Sequence, residues 1–171
     1  MRKVALTSAA VALLLGLVGV VSIAATPAAK PSVKSKTLSF DVQFSPFTLV
    51  PANPVRDPNS PFALGDEITF HDRLLSKGKQ VGDEVGSCVL VALTPEVLAN
   101  CSDVMRLPGG NISAQFASAA GPAPKDLALT GGTGTYRDVG GEGTLVEFGN
   151  AQGTGSLTLH VLSCSSGGEG G

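Results

Sequence analysis

Asp72 lies in EITFHDRLL (67–75), where Ile68, Phe70, Asp72 and Leu74 share one side of an alternating run. The carboxyl therefore shares an apolar face. An isolated buried carboxylate is costly, so Asp72 must be paired, border a wet cavity, or act as an acid. Arg73 and Arg137 are the candidate partners in the first case. His71 points to the opposite face, and His160 alternates with Leu159 and Val161 on a polar side, so both read as solvated strand residues rather than bases. No serine occupies a nucleophile elbow, and neither histidine has an evident triad partner.

The run LTGGTGTYRDVGGEGTLVEF (129–148) is dense in glycine. It is no phosphate loop, because no lysine follows Gly134, and it lacks the third glycine and the helix of a dinucleotide fingerprint. What remains is a tight reversal and close strand packing. Arg137, next to Tyr136, reads first as an ion-pair partner of Asp138 or Glu142.

Three cysteines, Cys88, Cys101 and Cys164, fit no zinc spacing. No metal and no cofactor are expected. In an exported chain the simplest count is one disulfide and one odd thiol. If SCVLVAL and CSDVMRL form a hairpin around Thr94-Pro95, positions 88 and 101 fall nearly opposite. The expected bridge is Cys88–Cys101, with Cys164 unpaired.

These residues need a scaffold, and the chain is punctuated for one. Residues 1–25 combine Arg2 and Lys3, an apolar run and a small-residue exit near Ala24 or Ala25, the pattern of a secretory signal peptide. The expectation is a secreted, extracellular protein free of the membrane once the leader is cleaved. Losing Arg2 and Lys3 takes the formal charge from −2 to −4, which argues against nucleic acid as a partner. Residues 26–36 read as a flexible linker, 37–164 as the folded domain, and 165–171 as a flexible tail.

TLSFDVQF (37–44) alternates without fault, placing Leu38, Phe40, Val42 and Phe44 on one face. Seven further short strands follow: 67–75, 80–93, 100–107, 111–119, 126–130, 143–148 and 155–162, separated by Pro and Gly turn signals. No segment after the leader carries a helical stripe. Eight strands at hairpin spacing predict an all-β fold, an eight-stranded antiparallel up-and-down β-barrel or a sandwich, and a closed barrel of this size leaves room for one small ligand.

The segments RDPNSPFALGD (56–66), ITFHDRLLSKGKQVGDEVGSCVLV (68–91) and LALTGGTGTYRDVGGEGTLV (127–146) resemble the allene oxide cyclase barrel superfamily, which includes plant allene oxide cyclases and dirigent proteins. The resemblance implies the up-and-down barrel and places the glycine run at a hairpin between late strands. It implies a pocket with Pro61 and Cys88 at family pocket positions, Cys88 there as a free thiol, and Asp72 close to a dirigent aspartate that handles a quinone methide. The cyclases' pocket glutamate and asparagine are replaced by Ala52 and Pro54, and no aromatic in FASAAGPA (116–123) beyond Phe116 can stand for their tyrosine. Allene oxide cyclisation thereby loses its charge-stabilising partner.

Two readings of function follow. In one, the barrel binds a hydrophobic small molecule through Pro61, Phe70, Asp72, Cys88 and Arg137 and steers its cyclisation or coupling, with Asp72 as the catalytic proton-handling group. In the other it is a non-catalytic secreted binding or structural module. Either could work alone or as a homo-oligomer.

Overall fold

The computed structural model describes residues 32–55 and 59–165. The expected leader, most of the linker (26–31), the tail beyond residue 165 and the Arg56-Asp57 pair lie outside the described residues.

The elements in chain order are β1 (Ser32–Gln43), β2 (Thr48–Val50), β3 (Glu67–Ser76), β4 (Lys79–Ala92), β5 (Leu98–Leu107), β6 (Gly110–Ala119), β7 (Lys125–Gly132), a 3-10 turn (Gly134–Tyr136), β8 (Val139–Glu147) and β9 (Thr154–Ser165). From β3 to β9 each strand pairs antiparallel with the next. β9 returns to β1, and β1 meets β3, so eight strands close an antiparallel up-and-down barrel. Closure pairs edges that would otherwise be exposed to other chains. The alternation read in the sequence survives in three dimensions: Leu38, Phe40, Val42 and Phe44 all pack on the core.

Two boundaries differ from expectation. β1 starts at Ser32, inside the stretch read as a linker, because Ser32–Lys36 find ladder partners on the long β9. A polar composition does not prevent a strand when its neighbour offers unpaired backbone. β2 is an additional strand, only three residues long, beside the start of β3. Val42 and Gln43 of β1 face Leu74 and Arg73, while Thr48 of β2 faces Thr69, so β1 and β2 follow one line along β3 with a break at Phe44–Phe47.

The barrel is solid at one end and hollow at the other. Leu74, Met105, Ile112, Leu157 and Leu159 are fully buried and fill the solid end. There the 3-10 turn leans on the β5–β6 turn: Thr135 N–H donates to Gly109 O at 2.8 Å, and Thr133 N–H to Asn111 O at 2.9 Å. Gly134 has φ +61°, and a side chain on it would run into the Gly109 carbonyl. The glycine run is thus a connection from β7 to β8 that closes the barrel floor. At the hollow end, Asp66 is fully buried and accepts from Ala52 N–H (3.0 Å) and Ala63 N–H (2.8 Å), pinning the loop that carries Phe62 over the opening.

Candidate functional site

The hollow end holds a cavity of about 380 Å³. Five of the chain's seven phenylalanines line it: Phe44, Phe47, Phe62, Phe70 and Phe116. Ile68, Leu90, Val97 and Leu145 complete the apolar wall. A largely apolar cavity with a few convergent polar groups is the usual form of a small-molecule site. Half of its polar and charged lining residues are acids: Asp72 on β3, Glu84 on β4 and Glu147 on β8.

Asp72 faces inward from β3 and is 5% exposed. The break between β1 and β2 supplies its partner: Ser45 N–H, freed from the strand ladder, donates to Asp72 Oδ1 at 2.7 Å. Burial pushes the Asp72 carboxyl above its ordinary range, against the downward pull of the Ser45 amide and of His71, while Glu147 adds to the rise. Neither arginine proposed as a partner reaches it. Arg73 Nη2 donates to Gln43 Oε1 at 2.7 Å on the outer face.

Glu84 on β4 stands directly across the ladder from Asp72, and Asp103 follows one strand further on β5. Glu84 is 1% exposed and Asp103 3%. Glu84 Oε2 and both Asp103 oxygens meet no well-aligned donor. The two carboxyls are close enough that each influences the protonation of the other. Burial drives Glu84 well above its usual range, and Asp103 and Asp72 push it further. Burial also raises Asp103; Glu84 moderates that rise, and the Ala114 amide is the least influence.

At the rim, buried Lys125 on β7 meets Glu147 Oε1 at 3.0 Å and the carbonyls of Gly121 (3.0 Å) and Ala123 (3.3 Å). Among the described residues that line the cavity, Lys125 is the one cation. Cys88, also in the wall, is bonded to Cys101 with S–S 2.03 Å; the two stand opposite in the β4–β5 ladder, as the hairpin arithmetic anticipates. The free thiol implied by the family resemblance is therefore absent at Cys88. Cys164 lies on β9 opposite Val33.

Of the residues singled out in the sequence, Phe70, Asp72 and Cys88 converge on the cavity. Pro61 does not line it. It is exposed on the loop, where its neighbour Phe62 turns inward instead. Arg137 caps the 3-10 turn at the solid end, the length of the barrel away from the opening, because the glycine connection joins the floor and not the rim. His71 is outward and lies 3.3 Å from Asp83, and His160 Nδ1 is 3.2 Å from Thr37 Oγ1. Glu84, Asp103, Lys125 and Glu147 escaped the sequence reading. Parity could have found two of them: Gly82, Glu84, Gly86, Cys88 and Leu90 alternate on β4, and Cys101, Asp103 and Met105 on β5.

Similarity to known proteins fits this architecture. The allene oxide cyclase barrel like domain matches residues 53–156. The chain belongs to that family. A pyocyanin demethylase structure is similar over 74% of this chain and 99% of its own, with 28% identity and TM-score 0.64. A pterocarpan synthase dirigent protein aligns at 17% identity and TM-score 0.58, covering 79% of this chain and 93% of its own. The Diels-Alderase AbmU from Streptomyces koyangensis aligns at 19% identity and TM-score 0.59, covering 78% and 66%. Among curated proteins none matches. Among the described residues no helix is long and apolar enough to cross a membrane, and no group of His, Cys, Asp and Glu side chains is arranged to hold a metal ion.

Proposed function

We propose that this allene oxide cyclase-like barrel is an exported protein that takes an apolar, aromatic small molecule into its open end and moves a proton on it, steering a rearrangement, cyclisation or coupling. The observation that carries the reading is the junction of two features in one cavity: walls of phenylalanine, and the facing carboxyls of Asp72 and Glu84. A carboxyl raised by burial keeps its proton to higher pH than a free one and can donate it or take it back. The apolar wall excludes water from a reactive intermediate, and the aromatic rings orient a flat ligand. Export is supported by the leader pattern together with the Cys88–Cys101 bond, which suits an oxidising compartment.

The test is calorimetric titration of the mature protein with planar aromatic molecules, beginning with pyocyanin, followed by product analysis. One-to-one uptake is expected, abolished by Ala99→Trp, which fills the cavity. Uptake by wild type and filled variant alike, or by neither, overturns the reading. A second reading, a binding module without chemistry, is favoured by one observation: the disulfide removes the Cys88 thiol from the wall. Uptake with an unchanged ligand, in wild type and Asp72→Asn alike, would decide for it.

A further inference from the structure

The walls of the cavity suit any flat apolar molecule, but the acids facing its inner end ask for something narrower. Glu84 lines the cavity and is 1% exposed, and its Oε2 has no partner. A buried polar atom without a partner is rare in folded proteins and calls for an explanation, such as another molecule that completes the hydrogen bonding. Charged groups line the cavity from several strands, Asp72 from β3, Glu84 from β4, Lys125 from β7 and Glu147 from β8, and Asp103 of β5 is buried beside Glu84. The β6 residues that line the cavity, Phe116 and Ser118, are uncharged, and among the described residues none of β9 lines it. Lys125 is already engaged by Glu147 and two carbonyls, so it does not neutralise Asp72 or Glu84. Fully ionised, these groups carry an excess of three negative charges in an apolar enclosure. The phenylalanine faces around them carry negative quadrupoles as well, and these also attract cations.

We propose that the cavity selects an aromatic ligand bearing a positive charge, such as an N-alkylated or protonated nitrogen heterocycle, seated with its cationic end on Asp72 and Glu84. This inference rests on the small-molecule reading above and names the class of ligand. A cation entering the cavity replaces the proton that the acids otherwise keep, so binding expels a proton. Affinity then rises with pH while the acids are protonated, by about tenfold per pH unit for each proton released, and levels off once they are ionised. A neutral molecule of the same shape gains only the wall contacts and shows no such slope.

N-methylquinolinium and 1-methylnaphthalene have the same shape and differ in charge. Both are titrated into the mature, disulfide-intact protein at about pH 8 and about pH 5, both above the ordinary carboxyl range. The expected result is at least a tenfold preference for N-methylquinolinium at the higher pH, shrinking at the lower pH and in Glu84→Gln and Asp72→Asn. Calorimetry in two buffers of different ionisation enthalpy should register the released proton. If 1-methylnaphthalene binds as tightly as the cation, the charge selection is overturned while the aromatic-site reading stands. If neither binds, both fall. A cation preference unchanged in both variants also overturns the proposal, since the charge would then be sensed elsewhere. Thermal unfolding of each variant guards against misfolding, and the two substitutions are independent checks on one another.

Discussion

At the scale of single residues, Asp72 is a carboxyl whose structural and chemical roles can be separated. Its Oδ1 accepts the Ser45 amide, and that bond holds the break in the first strand line in place. Asp72→Asn keeps an oxygen for Ser45 while removing the ionisable group, so stability near neutral pH should stay within about 0.5 kcal/mol or rise. Asp72→Ala instead strands a part-buried N–H and should lose about 1–3 kcal/mol. Denaturant unfolding of the two variants checks this, and equal losses would show that the charge itself is structural. Asp72 was legible in the sequence because Phe70 and Leu74 flank it at period two. Glu84 and Asp103 sit in equally regular runs, but the glycines beside Glu84 and the polar residues beside Asp103 dilute the apolar face that parity needs for contrast. The Ser45 partner was illegible for a different reason. It is created by an interruption in a strand, and no local pattern reports which distant side chain an unpaired amide will find.

At the scale of elements, β3 and β4 define the acidic side of the site, and Gly86 sets how closely they fit around Phe70. A Cβ on Gly86 would come 2.6 Å from the Phe70 ring and 2.9 Å from the Asp103 Cβ. The ring lies over the glycine, and this packing turns Phe70 into the cavity wall. Gly86→Val should displace the ring, costing about 1–3 kcal/mol by overpacking, and reduce ligand uptake at the same time. Chemical denaturation and calorimetric titration measure the two effects; a stable variant with full uptake would show that the strands can spread. Elements were the most legible level. All eight long strands appear near their expected places, since alternation and turn residues are local signals. The failures were at edges and connections. β1 reaches back to Ser32 because β9 is long enough to pair with it, and β2 is too short to show periodicity. Pro61 stands at a family pocket position by resemblance, which carries a residue's position in a motif but not the direction in which its loop turns.

At the scale of the whole molecule, the buried acids make stability depend on pH in an unusual direction. Asp72, Glu84 and Asp103 are all raised in the folded barrel, from ordinary values of 3.8, 4.5 and 3.8. The folded state therefore binds more protons than the unfolded chain over the window from those ordinary values up to the folded ones. Wherever the native state holds the extra protons, stability falls as pH rises. The contribution is complete below the ordinary values and is lost as pH climbs through the raised ones, by about 1.4 kcal/mol for each unit by which each group is raised. Asp83 works the other way. Arg106 grips its two oxygens at 2.6 Å and lowers its carboxyl, so its contribution is present above 3.8 and is lost as pH falls through the lowered value. Together these effects put the stability maximum at mildly acidic pH, above the point where Asp83 loses its charge and below the point where the lumen must ionise. Denaturant midpoints should fall between about pH 5 and pH 8 in wild type, and Glu84→Gln should flatten much of that decline, because an amide cannot ionise and presents no second charge to Asp103. A midpoint that rises steadily from pH 5 to pH 8, the common behaviour of proteins whose carboxylates are paired with cations, would mean that water or an ion already compensates the three acids and that the lumen is far more polar than its lining of phenylalanine implies.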